Sequence, residues 1–365
     1  MKKYSAIILA AGYSSRMASF KPLIDMYGKT PISKTIDLFK NCGVYNIIVV
    51  TGHLSELIEN QCSDRCQVVF NKDYDRGMYS SVKAGVAALS EHTDAFFILP
   101  ADIPAVKSNT IKKMMDSFQR IGKGILFPTF SEEKGHPVLM SHCFSEEILN
   151  SDPKEGLREI LNNHKECWNF EKVADRGILL DMDTKEDFEV LLEHILKDPY
   201  PDENECIEIL KLCKVRSDAA AHMRAVSKYT LKVTQELNKN GYRLNEDAIY
   251  SGALLHDVAK GEKAHAKKGA EILEDFGYGC LKEIVSQHMK LDTNKLIGEK
   301  EIVYICDKLI KGTEYVTLEE RFKEALLRYK NVSAVFHEVN NKLSDAKKIK
   351  EKIEEVVGKS VEMLR

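Results

Sequence analysis

The chain of 365 residues contains no apolar run approaching the ~20 residues that a membrane-spanning helix needs, so no such span is expected. An excess of charge is also missing. Lys and Arg total 53 against 56 Asp and Glu, for a net charge of −3. The balance holds along the chain, with 24 basic and 28 acidic groups up to residue 198 and 29 and 28 beyond it. Neither half is basic enough to make nucleic acid the main partner. There is no regular cysteine framework either: the nine cysteines are odd in number and irregularly spaced, which fits a reduced, cytoplasmic setting. Met1-Lys2-Lys3 ahead of apolar residues 6–11 imitates a signal peptide, but that run is short and leads into a glycine-containing loop. What remains is an ordinary globular composition, 44% hydrophobic and 30% charged, at a length that predicts two domains.

The first half is organised around its opening stretch. Residues 6–11 form a strand-length apolar run that feeds a turn with Gly12, Ser14 and Ser15, followed by Arg16 and Lys21. Backbone N–H groups of such a loop can wrap a polyphosphate, glycine lets the backbone approach closely, and the two cations offset the charge. No G-K-[ST] follows and no G-x-G-x-x-G is present, so the loop is neither a Walker nor a dinucleotide type. A purely architectural glycine after a first strand is the competing reading. Further strands are expected at 47–53, 67–71, 95–100, 124–129 and 136–140, with a helix at 80–89. This alternation predicts a doubly wound α/β sheet whose ligands sit at the carboxyl ends of the strands. Asp102, between Pro100 and Pro104 at one such end, is placed for a hard cation such as Mg²⁺, or is a turn aspartate. Asn71 opens a segment running through Gly77 to Ser80 and Ser81, where helix capping alone would explain the serines. His136 is a substrate contact or a strand-start residue.

Residues 197–202, polar with two prolines, read as a domain boundary. Beyond them helical periodicity appears at 205–214, 219–239, 245–259, 265–276, 280–290 and 299–311, predicting an all-α domain with a solvated helical tail from 317 to 364. His222, His256, Asp257, His265, His288 and Asp307 occur in order within it. Imidazole and carboxylate donors suit Mn, Fe, Zn or Mg.

The run L-A-A-G-x-S-x-R-M followed by K-P resembles the signature loop of molybdopterin cytidylyl/guanylyl transferases. It is most similar to the MocA-like branch associated with molybdenum hydroxylase maturation, although Ala18 stands where that family has glycine. G-H-P-V-L at 135–139 and G-L-R-E-I-L at 156–161 match further family segments. The resemblance implies nucleotide binding by Leu9, Ala10, Ala11, Gly12, Arg16, Lys21, Asn71, Gly77 and Ser81. It implies Mg²⁺ on Asp102, with Asp183 of L-D-M-D-T as second ligand and Asp181 as the neighbouring alternative. Arg16 and Lys21 would neutralise the leaving pyrophosphate.

The second half resembles the HD superfamily of metal-dependent phosphohydrolases. That likeness implies a single-metal core of His222, His256, Asp257 and Asp307. His265 and His288 match the subset that binds two metals, often Fe or Mn, and Lys260 in H-D-x-x-K matches a phosphate-contacting position.

Together these imply an α/β Rossmann-like nucleotidyltransferase domain (1–197), a linker (198–204), an all-α HD-type domain (205–316) and a helical extension (317–365). The implied cytoplasmic enzyme moves CMP or GMP from CTP or GTP to a molybdopterin-type acceptor, with a molybdenum hydroxylase apo-enzyme as partner and neither nucleic acid nor membrane involved. L-A-A-G leans toward CTP. Nucleotidyl transfer to a sugar or polyol phosphate is one alternative. A cofactor-binding chaperone with a nucleotide-sensing HD domain is another.

Overall fold

Seven consecutive buried residues form the central strand β1 (Tyr4–Ala10) of the first unit. The computed structural model describes residues 2–14, 20–62, 65–292 and 297–364, and divides into units of residues 1–196 and 197–365. Following β1 are α1 (Pro31–Asn41), β2 (Asn46–Thr51), α2 (Ser55–Cys62), β3 (Gln67–Phe70), α3 (Met78–Ala87), β4 (Ala95–Pro100), α4 (Ser108–Ile121) and β5 (Ile125–Phe130). The unit is completed by β6 (Glu133–Lys134), β7 (Val138–Ser141), α5 (Ser145–Asn150), α6 (Leu157–Asn163), β8 (Trp168–Lys172) and α7 (Lys185–Lys197).

β1 pairs in parallel with β2 on one side and β4 on the other, and β2 with β3. The sheet order is β3-β2-β1-β4-β7-β5-β6, with β8 parallel to β5. Successive side chains on a strand point to opposite faces, and β1 shows the result. Ala6, Ile8 and Ala10 pack with Ile32 and Phe39 of α1 and Met114 and Phe118 of α4. Ile7 and Leu9 pack with Val82 and Val86 of α3, Ile148 of α5 and Ile160 of α6. A strand covered on both faces needs apolar residues throughout. α3 lies unusually close: a Cβ on Gly85 would fall 2.4 Å from Ile7 Cγ2. That contact brings the first turn of α3 to the carboxyl end of β1.

The doubly wound sheet expected from the sequence is present, with its strands within a few residues of the expected positions. It is mixed rather than wholly parallel, because β7 runs antiparallel to both β4 and β5. β8, which alternates apolar and polar residues over only five positions, and the two-residue β6 are not among the expected strands.

The second unit consists of α8 (Glu203–Leu212), α9 (Ser217–Lys239), α10 (Glu246–Leu255), α11 (His265–Asp275), α12 (Lys282–Gln287), α13 (Glu299–Leu309), α14 (Leu318–Arg328) and α15 (Ser333–Val357). A hairpin, β9 (Ile310–Lys311) with β10 (Glu314–Tyr315), follows α13 and is its departure from an all-helical plan. α9, α10 and α13 pack against one another, and α14 and α15 cover α13. The tail therefore buries one face, through Leu318, Phe322, Ala346, Ile349 and Ile353. All nine cysteines are free thiols, and no helix among the described residues is long and apolar enough to cross a membrane.

Candidate active sites

In the first unit the loop after β1 and the first turn of α3 wall a cavity of about 360 Å³ lined by residues 9–14, Lys21, Gly77, Ser81 and Asp102, among others. A Cβ at Gly12 would meet no protein atom within 4 Å, so this glycine leaves space on the cavity side. Ser14 holds φ +56°, and its Oγ accepts the Lys21 backbone N–H at 3.0 Å, which ties the loop to the lysine. Lys21 Nζ donates to Asp183 Oδ1 at 2.7 Å and stands 3.9 Å from Asp102 Oδ2. Burial raises the Asp102 carboxyl above the ordinary carboxylate value. Lys21 opposes that rise, and Asp183 and Asp181 add to it. Asp181 is raised by burial and by Asp183. Asp102 and Asp183 thus offer hard oxygen donors on either side of the Lys21 ammonium, but among the described residues Asp102, Asp181 and Asp183 do not bring three donor atoms within 4.8 Å of one another. Arg16 lies outside the described residues.

Beside this cavity, and sharing Leu9, Gly77, Met78 and Pro100 with it, opens a groove of about 1180 Å³. Asn71 and His136 line the groove rather than the smaller cavity. The Asn71 amide is already engaged: Nδ2 donates to Ser80 Oγ at 2.8 Å and Ser81 Oγ at 3.0 Å, and Oδ1 accepts from Asp73 N–H at 3.0 Å. It fixes the start of α3. His136 Nδ1 is buried with no hydrogen-bond partner among the described residues, and burial lowers its imidazole below the usual histidine value. Tyr13, Tyr74 and Asp75 also line the smaller cavity, with Tyr13 Oη donating to Asp75. Sequence reasoning passed over these three, although Tyr13 sits inside the signature loop.

In the helical unit the fold gathers all six expected donors. His222 comes from α9, His256 and Asp257 from the end of α10, His265 from the start of α11, His288 from the end of α12 and Asp307 from α13. Asp307 Oδ1 lies 3.0 Å from His222 Nε2 and 3.3 Å from His256 Nε2. Asp257 Oδ1 lies 3.3 Å from both His265 Nε2 and His288 Nε2. Two overlapping groups result, His222–His256–Asp257 and Asp257–His265–His288, each with its donor atoms within 4.8 Å of one another.

The far side of each ring sets its role. His222 Nδ1 donates to Gly312 O in the β9–β10 turn at 2.9 Å, His256 Nδ1 to Ala253 O at 2.7 Å and His288 Nδ1 to Val285 O at 2.7 Å. Each ring is thereby anchored through Nδ1 and presents Nε2 inward, as metal-ligating imidazoles do. The Nε2 atoms of His256 and His288 are fully buried and make no hydrogen bond among the described residues. A buried polar atom without a partner is costly, and a divalent cation would satisfy both. The donor set therefore fits metal.

Burial disfavours charge on Asp307 and Asp257 but is outweighed, by Lys308, His222 and His256 in the first case and by His288, His256 and Lys260 in the second. Both carboxyls lie well below the ordinary range. Burial also works against a charged His256, yet Asp307 and Asp257 raise that imidazole. Lys260 Nζ donates to Asp257 Oδ2 at 2.7 Å. Lys308, which the sequence did not single out, donates to Asp307 Oδ2 at 2.5 Å and to His288 O at 3.1 Å.

Residues 6–167 match the family described as the MobA-like NTP transferase domain, and residues 219–312 match the HD domain. Molybdenum cofactor cytidylyltransferase of Escherichia coli (strain K12) is 26% identical over 193 residues, 52% of this chain and 95% of that protein. A bifunctional protein GlmU from Clostridium kluyveri is 32% identical over 168 residues, 46% of this chain but only 35% of its own length. Among solved structures, Rv0371c from Mycobacterium tuberculosis H37Rv aligns with 53% of this chain and 98% of its own, at 21% identity and a TM-score of 0.47. The chain thus joins a MobA-like NTP transferase domain to an HD domain, and is an enzyme of nucleotidyltransferase type with a second domain of phosphohydrolase type.

Proposed function

We propose that the first domain moves a CMP or GMP group from CTP or GTP to a molybdopterin-type acceptor, and that the HD domain hydrolyses a phosphoester or nucleotide. The setting is cytoplasmic, in molybdenum hydroxylase maturation, with the apo-hydroxylase as recipient. We assign the transferase to residues 1–197, a linker to 198–204, the hydrolase to 205–316 and a helical extension to 317–365. One observation carries the transferase half: Lys21 meets Asp183 and Asp102 beside a cavity whose wall is the L-A-A-G loop. The E. coli relative, whose name states cytidylyl transfer to the molybdenum cofactor, supports this acceptor and CTP, and it aligns over nearly its whole length.

The triphosphate lies in the smaller cavity against Leu9, Ala10, Ala11, Gly12 and Ser81, where backbone N–H groups bind phosphate oxygens. The acceptor lies in the groove. There Lys72, Arg76, Lys154 and Arg158 have no ion-pair partner among the described residues and suit an anionic molecule. An acceptor phosphate oxygen bonds to the α-phosphorus as the bond from that phosphorus to the β-phosphate's bridging oxygen breaks, and pyrophosphate departs. Lys21, with Arg16, neutralises the charge gathering on it. Asp102 and Asp183 would hold Mg²⁺, which would supply further positive charge at the phosphates. Holding both reactants in line provides most of the acceleration. In the HD domain His222, His256, Asp257, His265, His288 and Asp307 would hold two divalent ions, Fe or Mn, which would supply Lewis-acid charge at a phosphate. Lys260 contacts the phosphate from the outer side.

Pyrophosphate release across a panel of triphosphates, each with molybdopterin and with sugar or polyol phosphates, tests the transferase. Release with CTP or GTP and molybdopterin alone is expected. Release only with a sugar phosphate would assign the domain to that chemistry instead. Molybdopterin binding with no release from any triphosphate would favour a chaperone.

A further inference from the structure

Asp307 already has its counter-ion. Lys308 Nζ sits 2.5 Å from Oδ2, while Oδ1 faces the inward Nε2 atoms of His222 and His256. Yet a second cation points at the other oxygen, Oδ1. Arg321 Nη2 lies 3.9 Å from Asp307 Oδ1, too far for a hydrogen bond. Among the described residues none of the guanidinium donors of Arg321 makes a hydrogen bond, and the side chain is 28% exposed against 5% for Asp307. A rigid fork of donors is therefore held at the rim of the metal-ligand cluster, within ion-pair distance of Asp307 but with none of its N–H groups hydrogen-bonded among the described residues.

Its position is fixed rather than incidental. The β9–β10 hairpin turns the chain straight back after α13. α14 then starts at a capping box, Thr317 Oγ1 accepting from Glu320 N–H at 3.2 Å and Glu320 Oε2 accepting from Thr317 N–H at 2.8 Å. Leu318 and Phe322 are buried on either side of Arg321 in sequence. They anchor the first turns of α14, and the arginine is the residue left facing Asp307. Lys260 stands beside Asp257, the other carboxylate of the cluster, and donates to its Oδ2 at 2.7 Å.

We propose that Arg321, contributed by the extension beyond the matched HD residues, is a substrate-binding residue of the helical site. With Lys260 it would grip a terminal phosphate from two sides of the metal-ligand cluster. A terminal phosphate has enough non-bridging oxygens for a bidentate guanidinium contact and a lysine contact together. The substrate class that follows is a phosphomonoester or a nucleotide with a terminal phosphate, not an internal diester. The proposal rests on the metal-dependent phosphohydrolase reading of the same site.

The test uses the full chain reconstituted with Mn²⁺, with inorganic phosphate as the probe. Metal content is measured by elemental analysis and phosphate affinity by titration calorimetry. Any phosphate bound at the N-terminal site contributes equally to every protein, so the difference between wild type and variant is read. Arg321→Ala should weaken phosphate binding by about tenfold or more while Mn²⁺ content and the thermal midpoint stay at wild-type values. Arg321→Lys, which keeps charge but loses the fork, should fall in between. Phosphate affinity within twofold of wild type in the alanine variant would overturn the proposal. So would loss of Mn²⁺ together with phosphate, which would make Arg321 a structural counter-ion. Wild-type protein holding less than one Mn²⁺ per chain would instead remove the metal reading on which the proposal stands.

Discussion

Lys21 is 11% exposed and bonded to a carboxylate 162 positions away, so its charge is held in place before any ligand arrives. A charge-assisted contact of this kind contributes about 1.5–3 kcal/mol. Lys21→Ala should therefore weaken triphosphate binding by about tenfold or more, measured by titration with CTP and GTP. The thermal midpoint should fall by only about a few degrees, because the Asp183 side chain is 37% exposed and can be solvated. Unchanged nucleotide affinity would remove Lys21 from the site. At this scale the candidate residues Lys21, Asp102 and Asp183, which the structure brings together, were legible because each belongs to a short pattern tied to a strand end or loop. Likewise His222, His256-Asp257, His265, His288 and Asp307 stand in an ordered series that a helical domain can gather. Arg321 and Lys308 were not legible. Lys308 looks like any helix lysine, and nothing in the spacing connects position 321 to the ligand set. Only the turn after Leu309 brings Arg321 to Asp307.

Between elements, the contact of α3 with β1 decides where the first turn of α3 stands. Gly85→Ala sets two effects against each other. Alanine gains up to about 1 kcal/mol of helix propensity over glycine. The new Cβ, however, would fall 2.4 Å from Ile7 Cγ2 and 3.1 Å from Val50 Cγ2, both in buried strands. Overpacking of this kind costs about 1–3 kcal/mol, so a net loss of about 1 kcal/mol is expected in the denaturation of this unit. A stabilised variant would show that α3 shifts freely. The same elements mark where sequence reading stops. Short apolar runs identify β5 and β7 as strands but carry no information about direction, so the antiparallel pairings arise from chain reversal through β6 and its turn. A two-residue strand such as β9 has no period to detect.

Across the whole chain, two units with separate chemistry should respond separately to metal. A ligand that binds only the folded state raises stability with its concentration, and His256 Nε2 and His288 Nε2 are buried donors in the second unit. Calorimetry should resolve two transitions, with that of the second unit raised the more by Mn²⁺ and lowered by chelation, and that of the first raised chiefly by nucleotide together with the metal. A single transition moving as a whole would mean the units unfold together. The pairing of Lys21 with Asp183 also bears on synthesis. On a growing polypeptide Lys21 has no Asp183 to meet until the whole first sheet, which ends at Lys172, has been translated, and the six donors between His222 and Asp307 emerge only afterwards. Domains generally fold as units, the N-terminal one first. On the ribosome there is thus an interval in which the nascent chain already has its Lys21 site and has no HD cluster at all.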